Sequence, residues 1–422
     1  MSVLQCIQLH KSGIASFVLP LAVLLVICRA FPVVSLFYLG APLLLVLALP
    51  LVGKEALPGG EPKTIILLLI AFGTWAAITS AWSPYPRVSL TRAAYFLLIS
   101  ISPLLLGRRW RMDHRNDPFG FLLPANILVV LVSLYSLVTS SPEDAWTGGN
   151  ALGFMGYAAH QNTLASALVF TIPSILYPLL KEASGRVWSA HHGSTGFVRL
   201  PLPTLSVYIL LFLINLYLLL ISASRAGVLT LVIMVFVFVL LSFSIRTAAA
   251  MLSLFISACV VLVYVSQPVR DFTFKTENTI GDSRIVNINA TFNAAKHGGL
   301  LGIGYGISEL PSDPRTSGHY EGEERRFVRE KMIGALGLIE ETGITGLLLF
   351  LLPPVYVLGL LTKQCLEASK QRGTDGFMLR SNAAMAIAVL VALSFHAQIE
   401  AWWVGVGSVQ LPILYMVMSS ES

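Results

Sequence analysis

The chain has 422 residues, of which 55% are hydrophobic and only 12% charged, with a mean hydropathy of +0.75. Soluble domains carry about 25% charged residues, so this composition excludes a water-soluble globular protein and points to an all-α integral membrane protein with many spans. The net charge of +6 does not imply nucleic acid, because in a membrane chain the distribution of charge over the loops matters more than its sum. The four cysteines, Cys6, Cys28, Cys259 and Cys365, lie far apart, which excludes a disulfide framework and a cysteine metal site.

A transmembrane helix needs about 20 mostly apolar residues. About 12 such runs are predicted: 14–30, 32–52, 64–82, 90–107, 119–140, 161–180, 204–223, 226–244, 247–266, 334–362, 379–397 and 402–419. His10 and Lys11 precede the first run, but no small-residue cleavage site follows, so it is expected as a retained helix. Pro173, Pro178, Pro353 and Pro354 are expected to kink or end their helices. With the N-terminus inside, most loop lysines and arginines fall on the inner side, from Lys11 through Arg108, Arg109 and Arg111 to Lys370 and Arg380. The short outer loops then hold only Arg29, Arg87, Arg92 and Arg225. This asymmetry predicts that both termini are cytoplasmic. Three parts follow: a nine-helix bundle over 1–266, a large outer loop over 267–332 and C-terminal helices over 333–422.

The polar residues that break this pattern gather on the predicted outer side. Trp82 and Tyr85 fit an interfacial aromatic belt, and beside them Arg87 and Arg92 either snorkel or bind phosphate. The Gly-rich stretch 146–160 leads to His160 and Asn162, read either as a helix cap or as a polar pair serving a site. Arg225 interrupts about forty otherwise apolar residues, within Ser222-Ala-Ser-Arg-Ala-Gly227. An intramembrane or membrane-edge arginine costs several kcal/mol unless an anion meets it, and Ser222 and Ser224 leave room and hydroxyls for one. The alternative is a short loop with Arg225 snorkelling to headgroups.

In the large outer loop, apolar residues at 285, 288, 292 and 295 have helical spacing. They predict an amphipathic helix lying on the membrane or over a cavity. The following glycines, Gly298 to Gly306, lack the flanking strand and lysine of a nucleotide loop and are expected as a flexible turn. The charged run 315–331, with His319, reads as a solvated face or a gate. Glu340 and Glu341 are read as ion-pairing groups or, for one of them, a base. No metal-ligand spacing, no Ser–His–Asp arrangement and no internal repeat is visible.

Four stretches together resemble the O-antigen ligase and polymerase superfamily of bacterial envelope enzymes. Ala81-Trp-Ser-Pro-Tyr-Pro-Arg-Val-Ser-Leu-Thr-Arg92 is similar to its W-S-x-x-P segment followed by a basic residue. Gly153 through His160 and Asn162 to Ala165 looks like its G-x-x-x-H-x-N element, and Ser222 to Gly227 like its S-x-S-R-x-G signature. Arg284, then Gly302-Ile-Gly-Tyr-Gly306, then Glu341-Thr-Gly343 follow its order of arginine, glycine loop and E-T-G. The resemblance implies a GT-C-like fold with one large periplasmic loop in the bacterial inner membrane. It also implies a metal-independent transferase without cofactor. Its donor would be an undecaprenyl-pyrophosphate-linked oligosaccharide, with a chain-length regulator or flippase as candidate partners. By carry-over, Arg225 and Arg284, aided by Arg87 and Arg92, would hold the pyrophosphate, with Ser222, Ser224 and Asn162 around it. The family's acceptor-activating His-Asn pair is absent: Met332 and Ile333 stand there, and Ile288 fills a tryptophan slot. That leaves His319, His160 or Glu341 as candidate bases. Polymerase and ligase share the donor and differ in the acceptor. A non-catalytic transporter or binding component for lipid-linked glycan is the reading from another class.

Overall fold

The computed structural model describes residues 61–114, 117–141, 145–147, 153–158, 160–192, 200–243, 279–307, 333–371, 374–403 and 410–419, with isolated positions within 20–23 and 246–257. The predicted spans 14–30 and 32–52, and nearly all of 247–266, lie outside the described residues. Among the described residues the α-helices with placed bounds are α1 (Glu61–Ile78), α2 (Pro86–Asp113), α3 (Leu123–Thr139), α4 (Gln161–Thr171), α5 (Pro173–His192), α6 (Leu202–Ile221), α7 (Arg225–Ser242), α8 (Thr279–Gly298), α9 (Gly334–Lys370), α10 (Thr374–His396) and α11 (Gln410–Met418). One antiparallel pair, β1 (Trp146–Thr147) with β2 (Gly153–Phe154), sits between α3 and α4.

Among the described residues seven helices are long and apolar enough to cross a membrane, and α4 with α5 makes an eighth if that bent pair is one span. This is a multi-pass membrane protein. The run 161–180 is broken by 43° because Pro173 has no N–H to continue α4 and instead opens α5. Pro178, Pro353 and Pro354, by contrast, do not end their helices. The break in α9 falls at Gly343, whose φ of 73° and ψ of 178° are not helical. Of the run 402–419, only 410–418 is helical among its described residues.

The chain forms two compact units. The first comprises Met1–Ala41, Trp110–Asn278 and Leu360–Ala392. Here α3, α4 and α6 meet around a buried polar knot. Asn126 Nδ2 donates to Asn215 Oδ1 (2.9 Å) and Thr171 Oγ1 (3.0 Å), and Asn215 Nδ2 donates back to Asn126 Oδ1 (3.0 Å). Gly227 lets α7 press close, since a Cβ there would meet Leu219 Cδ1 at 2.8 Å and Ala165 Cβ at 3.1 Å. In the turn after α2, Trp110 stacks on His114 and its Nε1 donates to Asp117 O at 3.0 Å. Burial raises the Asp117 carboxyl above the usual range, against the pull of Lys181 and His114.

The second unit comprises Pro42–Arg109, Thr279–Gly359 and Leu393–Ser422. Its core is aromatic: Phe72 packs edge-on against Phe96, Tyr305 and Phe350, and Phe96 against Tyr415. The short α11 is buried over its length after Gln410.

Candidate functional site

In the first unit the polar residues converge on the turn between α6 and α7. Helix α6 stops at Ile221, Ser222 stays helical, and Ala223 adopts a left-handed φ of 53° that few non-glycine residues take. Ser224 is extended and caps α7, its Oγ accepting from Gly227 N at 3.3 Å. Ser222 Oγ donates to Leu219 O at 2.7 Å. Both serines, expected as ligands, are therefore buried and used by the turn itself. Arg225 is half-buried as the first residue of α7, so it heads a helix at a turn and is not stranded inside a continuous span.

The β1–β2 pair closes onto this turn. A Cβ on Gly153 would meet Ser222 O at 2.6 Å and Gln161 Cδ at 2.8 Å, so only a glycine lets the strand lie there. Gln161 opens α4, and His160 caps it: His160 Nδ1 accepts from Asn162 N at 3.2 Å. This bond leaves the proton of a neutral ring on Nε2. The His160 side chain is exposed, and Asn162 is half-buried. The turn thus gathers Arg225, Ser222, Ser224, Gly153 and Gln161, with His160 and Asn162 at the head of α4. Helix N-termini carry oriented N–H groups and partial positive charge, and a guanidinium adds a fork suited to phosphate. The arrangement suits an anion. Gln161 escaped the sequence reading because nothing local marks it; only the close approach of Gly153 places it at the turn.

In the second unit a different set of residues forms a clasp. The backbone of Gly298 to Gly306 is tied at many points. Ile303 N donates to Glu340 O (2.9 Å), Gly304 N to Glu341 O (3.0 Å), Ile344 N to Gly299 O (3.0 Å) and Thr345 N to Leu300 O (3.3 Å). Trp82 Nε1 donates to Gly302 O (2.9 Å), Trp75 Nε1 to Thr342 O (2.8 Å), and Tyr305 N to Thr79 Oγ1 (3.1 Å). The flexible turn expected from the glycines is instead a pinned segment. Its glycines serve contact: a Cβ on Gly302 would strike the carbonyl of Glu341, and one on Gly343 the carbonyl of Leu300.

Arg92 donates from Nη1 to Gly306 O and so holds this clasp. Arg87 is exposed at the head of α2. Glu340 and Glu341 lie inside α9 and are buried, where their backbone carbonyls receive the clasp. The side chain of Arg284 and the whole of His319 lie outside the described residues. His396 is buried and accepts from Trp402 Nε1 at 3.1 Å. Among the described residues no group of three or more His, Cys, Asp or Glu could hold a metal ion.

Residues 210–351 match the family model described as O-antigen ligase. The matched stretch runs from within α6, through the Arg225 turn, α8 and the glycine clasp, to Phe350 in α9. It supports the O-antigen ligase/polymerase superfamily that the motifs resemble. No curated protein matches the chain.

Proposed function

We propose that the chain is a membrane glycosyltransferase of the O-antigen ligase/polymerase type. It would work at the periplasmic face of the inner membrane on an undecaprenyl-pyrophosphate-linked glycan, transferring or polymerising its units for a surface or secreted polysaccharide. The observation that carries the reading is Arg225 at the head of α7, in a tight serine-lined turn that lies within the matched stretch.

In this reaction an acceptor hydroxyl attacks the anomeric carbon and the bond from that carbon to the pyrophosphate oxygen breaks. The electron pair leaves on the pyrophosphate, and the hydroxyl proton passes to a base. Negative charge grows on the leaving oxygen, so preorganised cations and N–H dipoles there lower the barrier. Arg225 supplies the fork, with Arg284 and Arg87 as further candidate phosphate ligands. Arg92, whose Nη1 donates to Gly306 O, is the fourth candidate that the resemblance offers. Of the candidate bases, His160 has an exposed ring, which favours it over the buried Glu341; its free lone pair is on Nδ1, which must leave the cap to take the proton. Polymerase is the preferred reading, since the usual ligase histidine position holds Met332; ligase to an acceptor such as lipid A core is the alternative. A non-catalytic transporter is the other class.

The test compares Arg225→Ala with Arg225→Lys in cells lacking the native gene, after checking membrane insertion of both. Alanine should lower product by about 100-fold or more, and lysine should restore little because it cannot fork onto phosphate. Loss of long chains indicates a polymerase; free chains accumulating unattached indicate a ligase. Normal polysaccharide from both variants would sink the proposal.

A further inference from the structure

Of the apolar face that sequence periodicity marks on helix α8, Ala295 is buried, whereas Ile288 and Phe292 are not. Its buried positions are small: Thr291 at 3%, Ala294 at 4% and Ala295 at 6% exposure, with Gly298. Ile288 and Phe292 stand 41% and 50% exposed instead. At about 100° per residue, the helix has three sides. The small residues pack inward, Ile288 and Phe292 form an adjoining apolar edge, and Asn289, Asn293 and His297 form a polar, exposed side. Lys296 lies between the last two, its Nζ 4.9 Å from the centroid of the Phe292 ring. Just beyond the helix, Leu300 and Leu301 are 67% and 53% exposed.

The clasp sets the depth of this edge. The carbonyls of Gly299 and Leu300 accept from Ile344 and Thr345, which begin the stretch of α9 after its break at Gly343. From there the helix turns an apolar strip outward: Ile344, Leu348, Leu352 and Val355, all 43–60% exposed. The 37 residues of α9, broken at Gly343, are more than a hydrocarbon core of about 30 Å needs. The part from Ile344 to Thr362, before Lys363, rises about 28 Å and matches the core. A span in that register would put Ile344 at one edge of the hydrocarbon, with Leu300 and Leu301 beside it, because Ile344 and Thr345 bond the carbonyls of Gly299 and Leu300. Trp82, 38% exposed and bonded to Gly302 O, is an aromatic of the type that populates this level.

We infer that α8 is an interfacial helix whose Ile288–Phe292 edge, continued by Leu300 and Leu301, seats in the bilayer surface. Lys296 lies over the Phe292 ring and meets anionic phospholipid headgroups. The partner is the membrane itself: the edge is continuous with the lipid-facing strip of α9, and the cation sits where the apolar edge meets the polar side. The assembly anchors the clasp, and with it the Glu341–Gly343 break, to a fixed depth. None of this depends on the reaction proposed above.

The test places a photoreactive benzoyl-phenylalanine at position 288, 292, 289 or 293 in turn in the full chain, reconstituted in phosphatidylcholine vesicles with or without phosphatidylglycerol. Phospholipid adducts at 288 and 292 should exceed those at 289 and 293 by about tenfold. Equal adducts at all four positions, none at 292, or adducts to protein at 292 would overturn the inference. Positions 289 and 293, exposed on the same helix, are the internal reference for probe reactivity. Lys296→Glu should cut the adduct at 292 several-fold when phosphatidylglycerol is present and spare it in phosphatidylcholine alone; no change in either vesicle removes Lys296 from the headgroup role.

Discussion

Asn126 and Asn215 exchange amide hydrogen bonds in the middle of three helices, and Asn126 also reaches Thr171. All are fully buried. A buried amide left without its partner costs about 1–3 kcal/mol, whereas replacing both partners with apolar groups can be nearly neutral. Asn126→Leu should therefore lower the unfolding midpoint in detergent by an amount worth about 2 kcal/mol, and Asn126→Leu with Asn215→Leu should recover part of it. A double variant weaker than the single would mean the amides fill space and no more. The same scale shows what one sequence can carry. Arg225 announces itself because a charge inside an apolar run is expensive. Asn126 does not, because an uncharged amide in an apolar run gives no sign of whether a second amide faces it.

Elements were legible wherever length and apolarity agreed, and less so where backbone approach decided. Gly302 and Gly299 both have positive φ, 77° and 54°, yet their surroundings differ. A Cβ on Gly302 would strike the Glu341 carbonyl, while one on Gly299 finds only Lys296 O at 4.0 Å. Gly299→Ala should cost about 1 kcal/mol, for the left-handed conformation alone. Gly302→Ala should cost at least about 2 kcal/mol more, because the clasp must shift away from α9. Thermal unfolding of the two purified variants separates these cases, and equal costs would mean that the clasp yields freely. From sequence the glycines read as freedom; in the fold they permit contact. The helix α8 was likewise legible as a helix, but of its buried side only Ala295 was. Periodicity marks where apolar residues lie, and close packing here selected small ones.

At the scale of the molecule, the charge asymmetry of the loops makes a definite statement about orientation. Arg87 and Lys370 are both exposed and stand at ends of different helices. With both termini cytoplasmic, Arg87→Cys should react with a membrane-impermeant maleimide added to intact spheroplasts, and Lys370→Cys should react only after the membrane is opened. The unsubstituted chain supplies the background. The reverse pattern would turn the protein over and remove the periplasmic face from the proposed reaction.

Composition alone determined that this chain lives in a membrane, because 12% charged residues cannot clothe a soluble surface. Run length determined most of the helices the structure describes, since each apolar run must satisfy its own backbone hydrogen bonds within the bilayer. Motif order pointed to the family, and to Arg225 as the residue to test. Tertiary structure decided the rest: that Ser222 and Ser224 serve the turn, that His160 caps α4, that Arg92 holds Gly306, and that Gly153 brings Gln161 to the Arg225 turn. The physical reason is that hydrophobic burial is non-directional and can be summed along a chain. Which donor meets which carbonyl depends instead on ångström-scale placement of groups far apart in sequence.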